Sequence, residues 1–263
     1  MRRAWLITLA VLLGLAAPAP ALAAAQKPVL QLILTPKIAS AAGLGRLANC
    51  FTVTPDGVVV VGDGTNLWEA GAAGALPLKI PGLASFTFMP GGILLGVAGS
   101  NLDYLDTDGT LKTLFALPEP GMQVTQGANN TLVLFGPDAP GHDGLYLVHE
   151  GRQATKILSL PAPITDAADA SGTILFISGG ALYEVQGHRL RLLAGEPGGG
   201  FTSVTADPAT GNIYLADAAH VLELQHGKII PIANNFAGLV RWYPGGLLIF
   251  NNAANTLVRL TLP

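Results

Sequence analysis

Cysteine and charged residues are scarce in this sequence. Cys50 is the only cysteine, so no disulfide can form within one chain and stability must come from packing. We interpret Cys50 as a small buried thiol on an inner strand rather than a lipidation site, because it lies far beyond the apolar N-terminal run. Charged residues make up 12% of the chain, 14 basic and 17 acidic. The basic residues are scattered singly, which excludes nucleic acid as a partner, because a phosphate backbone requires clustered Lys and Arg.

Long apolar runs are absent beyond the N-terminus. There, Arg2 and Arg3 precede an apolar run over residues 4–17, which is followed by two prolines and small residues. The run is too short to span a bilayer, which takes about 20 residues, and the order of basic, apolar and small segments is that of a secretory signal peptide. The sequence therefore predicts a signal peptide over residues 1–23, cleaved after Ala23 or alternatively after Ala25. Residues 24–263 would form one domain in the bacterial periplasm or outside the cell, with no transmembrane segment.

Glycine and proline are abundant, and their positions repeat at intervals of about 40 residues. Six turns each precede an apolar strand: Pro55-Asp56-Gly57, Pro90-Gly91-Gly92, Asn129-Asn130, Ser171-Gly172, Thr210-Gly211 and Pro244-Gly245-Gly246. The strands that follow cover residues 58–61, 93–96, 132–135, 174–177, 213–215 and 247–250. A repeat of this length built only from strands is typical of a propeller. The predicted fold class is all-β, a six-bladed β-propeller.

The sixth repeat ends too early to supply its own outer strand. Each of the first five repeats reads as four strands, whereas the sixth stops at Pro263, just after its third. Residues 29–34, which precede the first repeat, have the same apolar character followed by proline as residues 156–161. An unpaired outer strand invites aggregation. We therefore predict that residues 29–34 pair with residues 256–260 and close the ring.

One repeat carries a motif of a known group. Residues 211–217 (Gly-Asn-Ile-Tyr-Leu-Ala-Asp), followed by Val221, are similar to the NHL repeat, although Ala218-Ala219-His220 replaces the Asn and Arg that usually follow its Asp. Over the whole chain, the order of strands and turns resembles that of the six-bladed propellers that include NHL proteins and gluconolactonase-type lactonases. The lactonase resemblance implies a metal-dependent hydrolase in which Glu, Asn and Asp hold a cation that polarises a lactone carbonyl. Only Asn49 and Glu196 stand near suitable positions, and two residues are too few to predict that activity for this chain.

The inner strands of the repeats carry mainly polar residues at one equivalent position, which we call the threonine level. Aligned on their turns, they present Thr52, Thr87, Thr125, Ala167, Thr205 and Arg241 at one position. If this level faces the axis, hydroxyls and one guanidinium would line the channel and could bind a carboxylate or phosphate. We favour a structural alternative, in which Thr hydroxyls form hydrogen bonds between blades and Arg241 pairs with Asp166, Asp169 or Asp207.

The longest connection between second and third strands, residues 136–144, is a candidate metal site. Asp138, His142 and Asp143 could hold a divalent cation there or act as acid and base, although the same residues are ordinary turn formers. The equivalent loops of other blades should surround the same end of the central channel, which we call its mouth. They carry Asp63, Asn66, Asp217, His220, Asn251 and Asn252, with Asp217 as a further metal candidate. His149, His188 and His226 recur once per repeat, in rim turns of separate blades, and cannot converge on one ion.

The positions of these polar and charged residues lead to two hypotheses about function. The first is an exported, non-catalytic propeller that binds a protein partner or serves as a scaffold through one face, without a cofactor. The alternative is a metal-dependent hydrolase or small-molecule-binding protein with a divalent cation at a channel mouth around Asp138, Asp217 and Arg241. No Gly-x-Ser-x-Gly nucleophile motif occurs in the sequence.

Overall fold

A computed structural model describes residues 28–43, 50–71, 74–149, 153–187, 189–195, 200–236, 238–251, 254 and 256–262. The predicted signal peptide and its cleavage sites lie outside these residues, as do Asn49, His188, Glu196, Asn252 and the side chain of Cys50. In the described part of the chain, no helix has the length and apolar character that crossing a bilayer requires.

The prediction of a six-bladed propeller is confirmed. The described strands form six four-stranded antiparallel sheets, and in five of them the strands follow one another in chain order from the channel to the rim. Apolar strands divided by Gly- and Pro-marked turns give this result, because each short hairpin folds the chain back beside the strand just completed.

The first three blades follow the repeat order. Blade 1 contains β2 (Cys50–Val53), β3 (Val59–Gly62), β4 (Asn66–Gly71) and β5 (Gly74–Pro81). Blade 2 contains β6 (Ser85–Phe88), β7 (Leu94–Ala98), β8 (Asn101–Leu105) and β9 (Leu111–Ala116). Blade 3 contains β10 (Gln123–Gln126), β11 (Thr131–Ala139), β12 (His142–His149) and β13 (Thr155–Leu160).

The last three blades continue the order until the final outer strand. Blade 4 contains β14 (Ile164–Ala170), β15 (Thr173–Ser178), β16 (Ala181–Gln186) and β17 (Arg189–Gly195). Blade 5 contains β18 (Ser203–Ala206), β19 (Ile213–Ala216), β20 (His220–Gln225) and β21 (Lys228–Asn234). Blade 6 contains β22 (Leu239–Tyr243), β23 (Gly246–Asn251), β24 (Thr256–Thr261) and, at its rim, β1 (Val29–Leu34).

The predicted closure of the ring by the N-terminal strand is also confirmed. β1 runs antiparallel to β24, with Val29 opposite Thr261 and Leu34 opposite Leu257. The short helix α1 (Pro36–Ala41) follows, and the Oγ1 atom of Thr35 caps it by accepting a hydrogen bond from the backbone N–H of Ile38 at 3.1 Å. The chain thereby passes from the outer strand of blade 6 to the inner strand of blade 1.

The hydrophobic core is divided among the six seams between neighbouring blades. Each buried cluster takes side chains from two adjacent blades, and successive residues of one strand enter different clusters. In β11, for example, Leu132 and Leu134 pack toward blade 2, whereas Val133 and Phe135 pack toward blade 4. Strands buried on both faces explain why the sequence reads as continuous apolar runs rather than strict alternation.

Residues 136–144 differ from the predicted loop. β11 extends to Ala139 and β12 begins at His142, so that only a two-residue turn separates the strands. Gly136 has φ +128°, a value that L side chains rarely adopt, and a Cβ on Gly144 would lie 2.6 Å from the ring of Tyr146. These two glycines let the hairpin continue through a segment whose proline and polar residues suggest a loop.

Candidate functional site

The predicted threonine level lines a cavity in the central channel. Thr52, Thr87, Thr125, Thr205 and Arg241 all border one cavity of about 660 Å³. They occupy the same level of inner strands β2, β6, β10, β18 and β22, where their cross-strand partners are core residues of the second strands. The structure thus brings together all five residues that the sequence proposes as ligand-binding.

Blade 4 contributes Ala168 to this level, not Ala167 as predicted. Ala168 lines the cavity, while Ala167 is 1% exposed and packs in the seam with blade 3. The prediction counted residues back from the turn, and the turn of blade 4 is a two-residue hairpin at Ser171 and Gly172, shorter than the corresponding turns of blades 1, 2, 3 and 5. Counting back from Gly172, which lies within this shorter turn, moves the register by one residue. The turn of blade 6 is equally short, but there the count starts at Gly246, after the turn, and stays in register.

Side chains of the inner strands bond to the next blade. The Oγ1 atom of Thr205 accepts a hydrogen bond from the backbone N–H of Trp242 at 2.9 Å. Ser85 Oγ accepts one from Val124 N–H at 3.0 Å, and Ser203 Oγ accepts one from Val240 N–H at 3.0 Å. For Thr205, the predicted role of a threonine hydroxyl in joining blades is confirmed.

Arg241 pairs with Asp166, one of the three partners that the sequence left open. Its two terminal nitrogens donate to the two carboxylate oxygens at 2.8 and 3.0 Å, reaching from blade 6 across blade 5 to blade 4. Asp166 also accepts hydrogen bonds from Ser203 Oγ at 2.5 Å and Val204 N–H at 3.0 Å, and its side chain is 1% exposed. A guanidinium in a bidentate pair is neutralised, so this geometry disfavours Arg241 as the receptor for an anionic ligand.

The cavity opens at the end of the propeller where first and second strands are joined. Its rim includes Pro90, Asn129, Asn130, Ser171 and Pro208, all from these turns. At the start of the inner strands the open space shrinks to about 30 Å³ among side chains that include three phenylalanines. The mouth expected from the sequence lies at this opposite end, because the connections between second and third strands meet there. Of the residues expected at that mouth, Arg241 lines the 660 Å³ cavity. The others that the structure describes do not: Asp63, Asn66, Asp138, Asp217, His220 and Asn251.

The candidate metal ligands of blade 3 are each held by the fold. Asp138 accepts hydrogen bonds from the hydroxyl of Tyr146 and from the Lys156 ammonium at 2.7 Å, and its side chain is 4% exposed. Asp143 Oδ2 accepts a hydrogen bond from the backbone N–H of Ile164 at 2.8 Å, which links the hairpin to blade 4. His142 is exposed, with Nδ1 at 3.3 Å from the carbonyl oxygen of Pro140.

The fourth candidate, Asp217, lies on blade 5. Its Oδ1 accepts hydrogen bonds from Ala219 N–H at 2.6 Å and His220 N–H at 2.5 Å, and its Oδ2 is 2.9 Å from His220 Nδ1. Among the residues that the structure describes, no three His, Cys, Asp or Glu side chains gather where they could share a metal ion. His149 and His226 are exposed at the rim turns of different blades, where the sequence placed them.

Acid is expected to weaken the hairpin of blade 3. Hydrogen bonds from Lys156 first, then from Ser159 and Tyr146, lower the pKa of Asp138 from 3.8 to about 2. A lowered carboxyl pKa stabilises the fold above the unfolded pKa, and this stabilisation is lost as the pH falls toward the folded value. Thermal unfolding between pH 6 and pH 2 should show an additional loss below about pH 4 in the wild type that Asp138→Asn lacks. Identical profiles for the two proteins would contradict the assignment.

Comparisons with known proteins show similarity in fold. No protein-family model and no curated protein sequence matches the chain. A gluconolactonase from Xanthomonas campestris superposes with a TM-score of 0.66 at 15% identity, covering 92% of this chain and 99% of that one. Regucalcin from Agrobacterium tumefaciens gives 0.61 at 14%, covering 82% and 90%, and virginiamycin B lyase from Staphylococcus aureus 0.58 at 15%, covering 81% and 80%. These values confirm the predicted likeness to gluconolactonase-type propellers as a likeness of shape.

Sequence reasoning did not identify the rim of the cavity. Asn129 and Asn130 have positive φ values of 53° and 59° and border the opening, as do Asp169 and Trp242. The signal was present, because each follows a channel residue by one to five positions. The sequence predicts Asn129 and Asn130 only as turn formers, a role that asparagine in the left-handed region also serves, and it names Asp169 only as a possible partner of Arg241.

Proposed function

We propose that this protein is an exported, non-catalytic binding module that receives a protein partner at the threonine-lined opening of its channel. The observation that carries the proposal is a preformed cavity of about 660 Å³ whose polar lining is mainly threonine hydroxyls and side-chain amides, with Asp169 and the paired Arg241 as its charged members. Such groups donate and accept hydrogen bonds without requiring a charged ligand. Export is inferred from the N-terminal order of basic, apolar and small residues alone.

The state of the buried charges favours binding over catalysis. A general base must reach the proton that it removes. Both oxygens of Asp166 are already engaged by Arg241, and further donors come from blade 5. Asp169, at the rim, accepts a hydrogen bond from Gly172 N–H at 2.7 Å and thereby supports its own turn.

A metal-dependent hydrolase is the second candidate. The similarity over 92% of the chain to a protein described as a gluconolactonase supports it, as does the similarity to a protein described as a calcium-binding regucalcin. The cation would bind at the end of the channel where Asp217 and His220 lie. Calorimetric titration with Ca²⁺, Mg²⁺ and Zn²⁺ and an assay of gluconolactone hydrolysis test this candidate. Saturable binding together with cation-dependent hydrolysis would replace the proposed function.

A positive charge introduced at the opening of the channel tests the binding proposal. Gln126 lines the cavity at an exposed position, so Gln126→Arg should place a cation there without disturbing the core. Gln225→Arg is the matched control, because Gln225 is exposed at the end of β20, where its side-chain amide donates a hydrogen bond to Glu223. A partner is first captured from the extracytoplasmic fraction and purified, and its Kd for each protein is then measured.

We expect Gln126→Arg to weaken binding by about tenfold or more, equivalent to about 1.4 kcal/mol. The control should retain the wild-type Kd, because its substitution lies away from the channel. Equal affinity of both variants would place the partner on another surface and contradict the proposal.

A further inference from the structure

A second cavity lies beside the channel opening, in the seam between blades 2 and 3. Its volume is about 310 Å³. It is lined by six apolar residues and one amide: Met89, Pro90, Ile93, Leu95, Leu114, Leu132 and Asn130. We call it the seam pocket. Its size is close to the lower limit of ligand-binding cavities, which suits a side chain better than an extended molecule.

The floor of the seam pocket belongs to the hydrophobic core. Leu95 and Leu132 are 6% and 2% exposed and are members of the cluster that joins blades 2 and 3. Ile93, in contrast, is 52% exposed at the edge of the pocket. A pocket with a packed floor is preformed, so an incoming group loses little free energy to reorganisation of the protein.

The two cavities are neighbours that share part of their lining. Pro90 and Asn130 border both the channel cavity and the seam pocket. A ligand that crosses this shared rim would have a polar surface of threonine hydroxyls on one side and an apolar pocket on the other. Buried apolar anchors surrounded by polar contacts are the usual source of affinity in protein interfaces.

We propose that the seam pocket receives one aliphatic side chain of the partner, while the polar residue next to it forms hydrogen bonds in the threonine-lined channel. This inference rests on the proposed function, because it assigns a chemistry to the partner at the same opening. The recognised element is a short, uncharged segment with a leucine-like residue beside a serine- or threonine-like one. Neutral lining in both cavities, apart from Asp169 and the paired Arg241, selects against a strongly charged segment.

Two short peptides test the inference by methyl NMR on the full mature chain. The probes are N-acetyl-leucyl-serine amide and, as the matched control, N-acetyl-glycyl-serine amide. Methyl groups of Ile93 and Leu114 report on the seam pocket, and those of Thr87 and Thr125 report on the channel. The leucyl peptide should shift both sets together and bind at least about tenfold more tightly than the glycyl peptide, as expected for burial of one leucine side chain.

Variants at exposed aliphatic positions complete the test. Ile93→Lys should abolish the shifts at Leu114, whereas Leu76→Lys should leave them unchanged, because Leu76 is 66% exposed on the outer strand of blade 1. Shifts confined to the threonine methyls would overturn the seam pocket while leaving the channel site intact. Shifts at neither set would also overturn it. A partner that binds Gln126→Arg normally would instead contradict the proposed function itself.

Discussion

Replacement of Arg241 by alanine is expected to destabilise the fold by about 3–5 kcal/mol, the usual cost of removing one partner from a buried ion pair. The substitution leaves the carboxylate of Asp166 at 1% exposure with its bidentate partner gone. It also removes a link between blades 4 and 6 that passes over blade 5. Unfolding in guanidinium chloride, followed by far-UV circular dichroism, measures the change in free energy.

A double variant tests whether the loss of stability comes from the unpaired buried charge of Asp166 or from the missing contact between the blades. Arg241→Met combined with Asp166→Leu replaces both buried charges by apolar side chains, a change that is often neutral or stabilising. We therefore expect the double variant to be clearly more stable than Arg241→Ala. A loss of less than about 1 kcal/mol in Arg241→Ala would show that Asp166 tolerates isolation and that the pair does not hold the inner strands together.

The architecture could be predicted because local signals repeat. Each turn sequence ends one strand and starts the next, so six similar turns specify six similar blades without knowledge of any long-range contact. Closure by residues 29–34 followed from the unpaired outer edge of blade 6. The threonine level followed from the same alignment and was correct in five blades.

Each difference between prediction and structure depends on a feature that does not recur from one repeat to the next. A short hairpin at Ser171 moved blade 4 by one residue, and two glycines extended the hairpin of blade 3. The pairing of Arg241 with Asp166 joins residues 75 positions apart, and the sequence offered three acidic partners for it. The open end of the channel depends on side-chain volume, because phenylalanines crowd the start of the inner strands while threonine, alanine and glycine occupy their ends.

Deletion of residues 29–34 is expected to cause the largest loss of stability in this protein. The change removes every backbone hydrogen bond between β1 and β24 and leaves β24, still paired with β23 on its other side, as an exposed edge strand. It also withdraws Ile33 and Leu34, which are 6% and 0% exposed in the seam between blades 6 and 1. Burial of two such side chains contributes about 3–6 kcal/mol. The purified chain lacking this strand should form soluble oligomers or aggregates, which size-exclusion chromatography with light scattering detects.

A matched substitution distinguishes pairing from hydrophobicity. Val29, Leu30 and Leu32 are 62%, 49% and 53% exposed in the same strand, so their joint replacement by serine keeps the backbone pairing and removes only exposed apolar surface. Exposed substitutions of this kind usually change stability by less than about 0.5 kcal/mol each, and this variant should stay monomeric. If the deletion variant also stays monomeric with an unchanged free energy of unfolding, contacts between blades alone hold the ring closed. If both variants associate, apolar surface rather than strand pairing governs the behaviour of this edge.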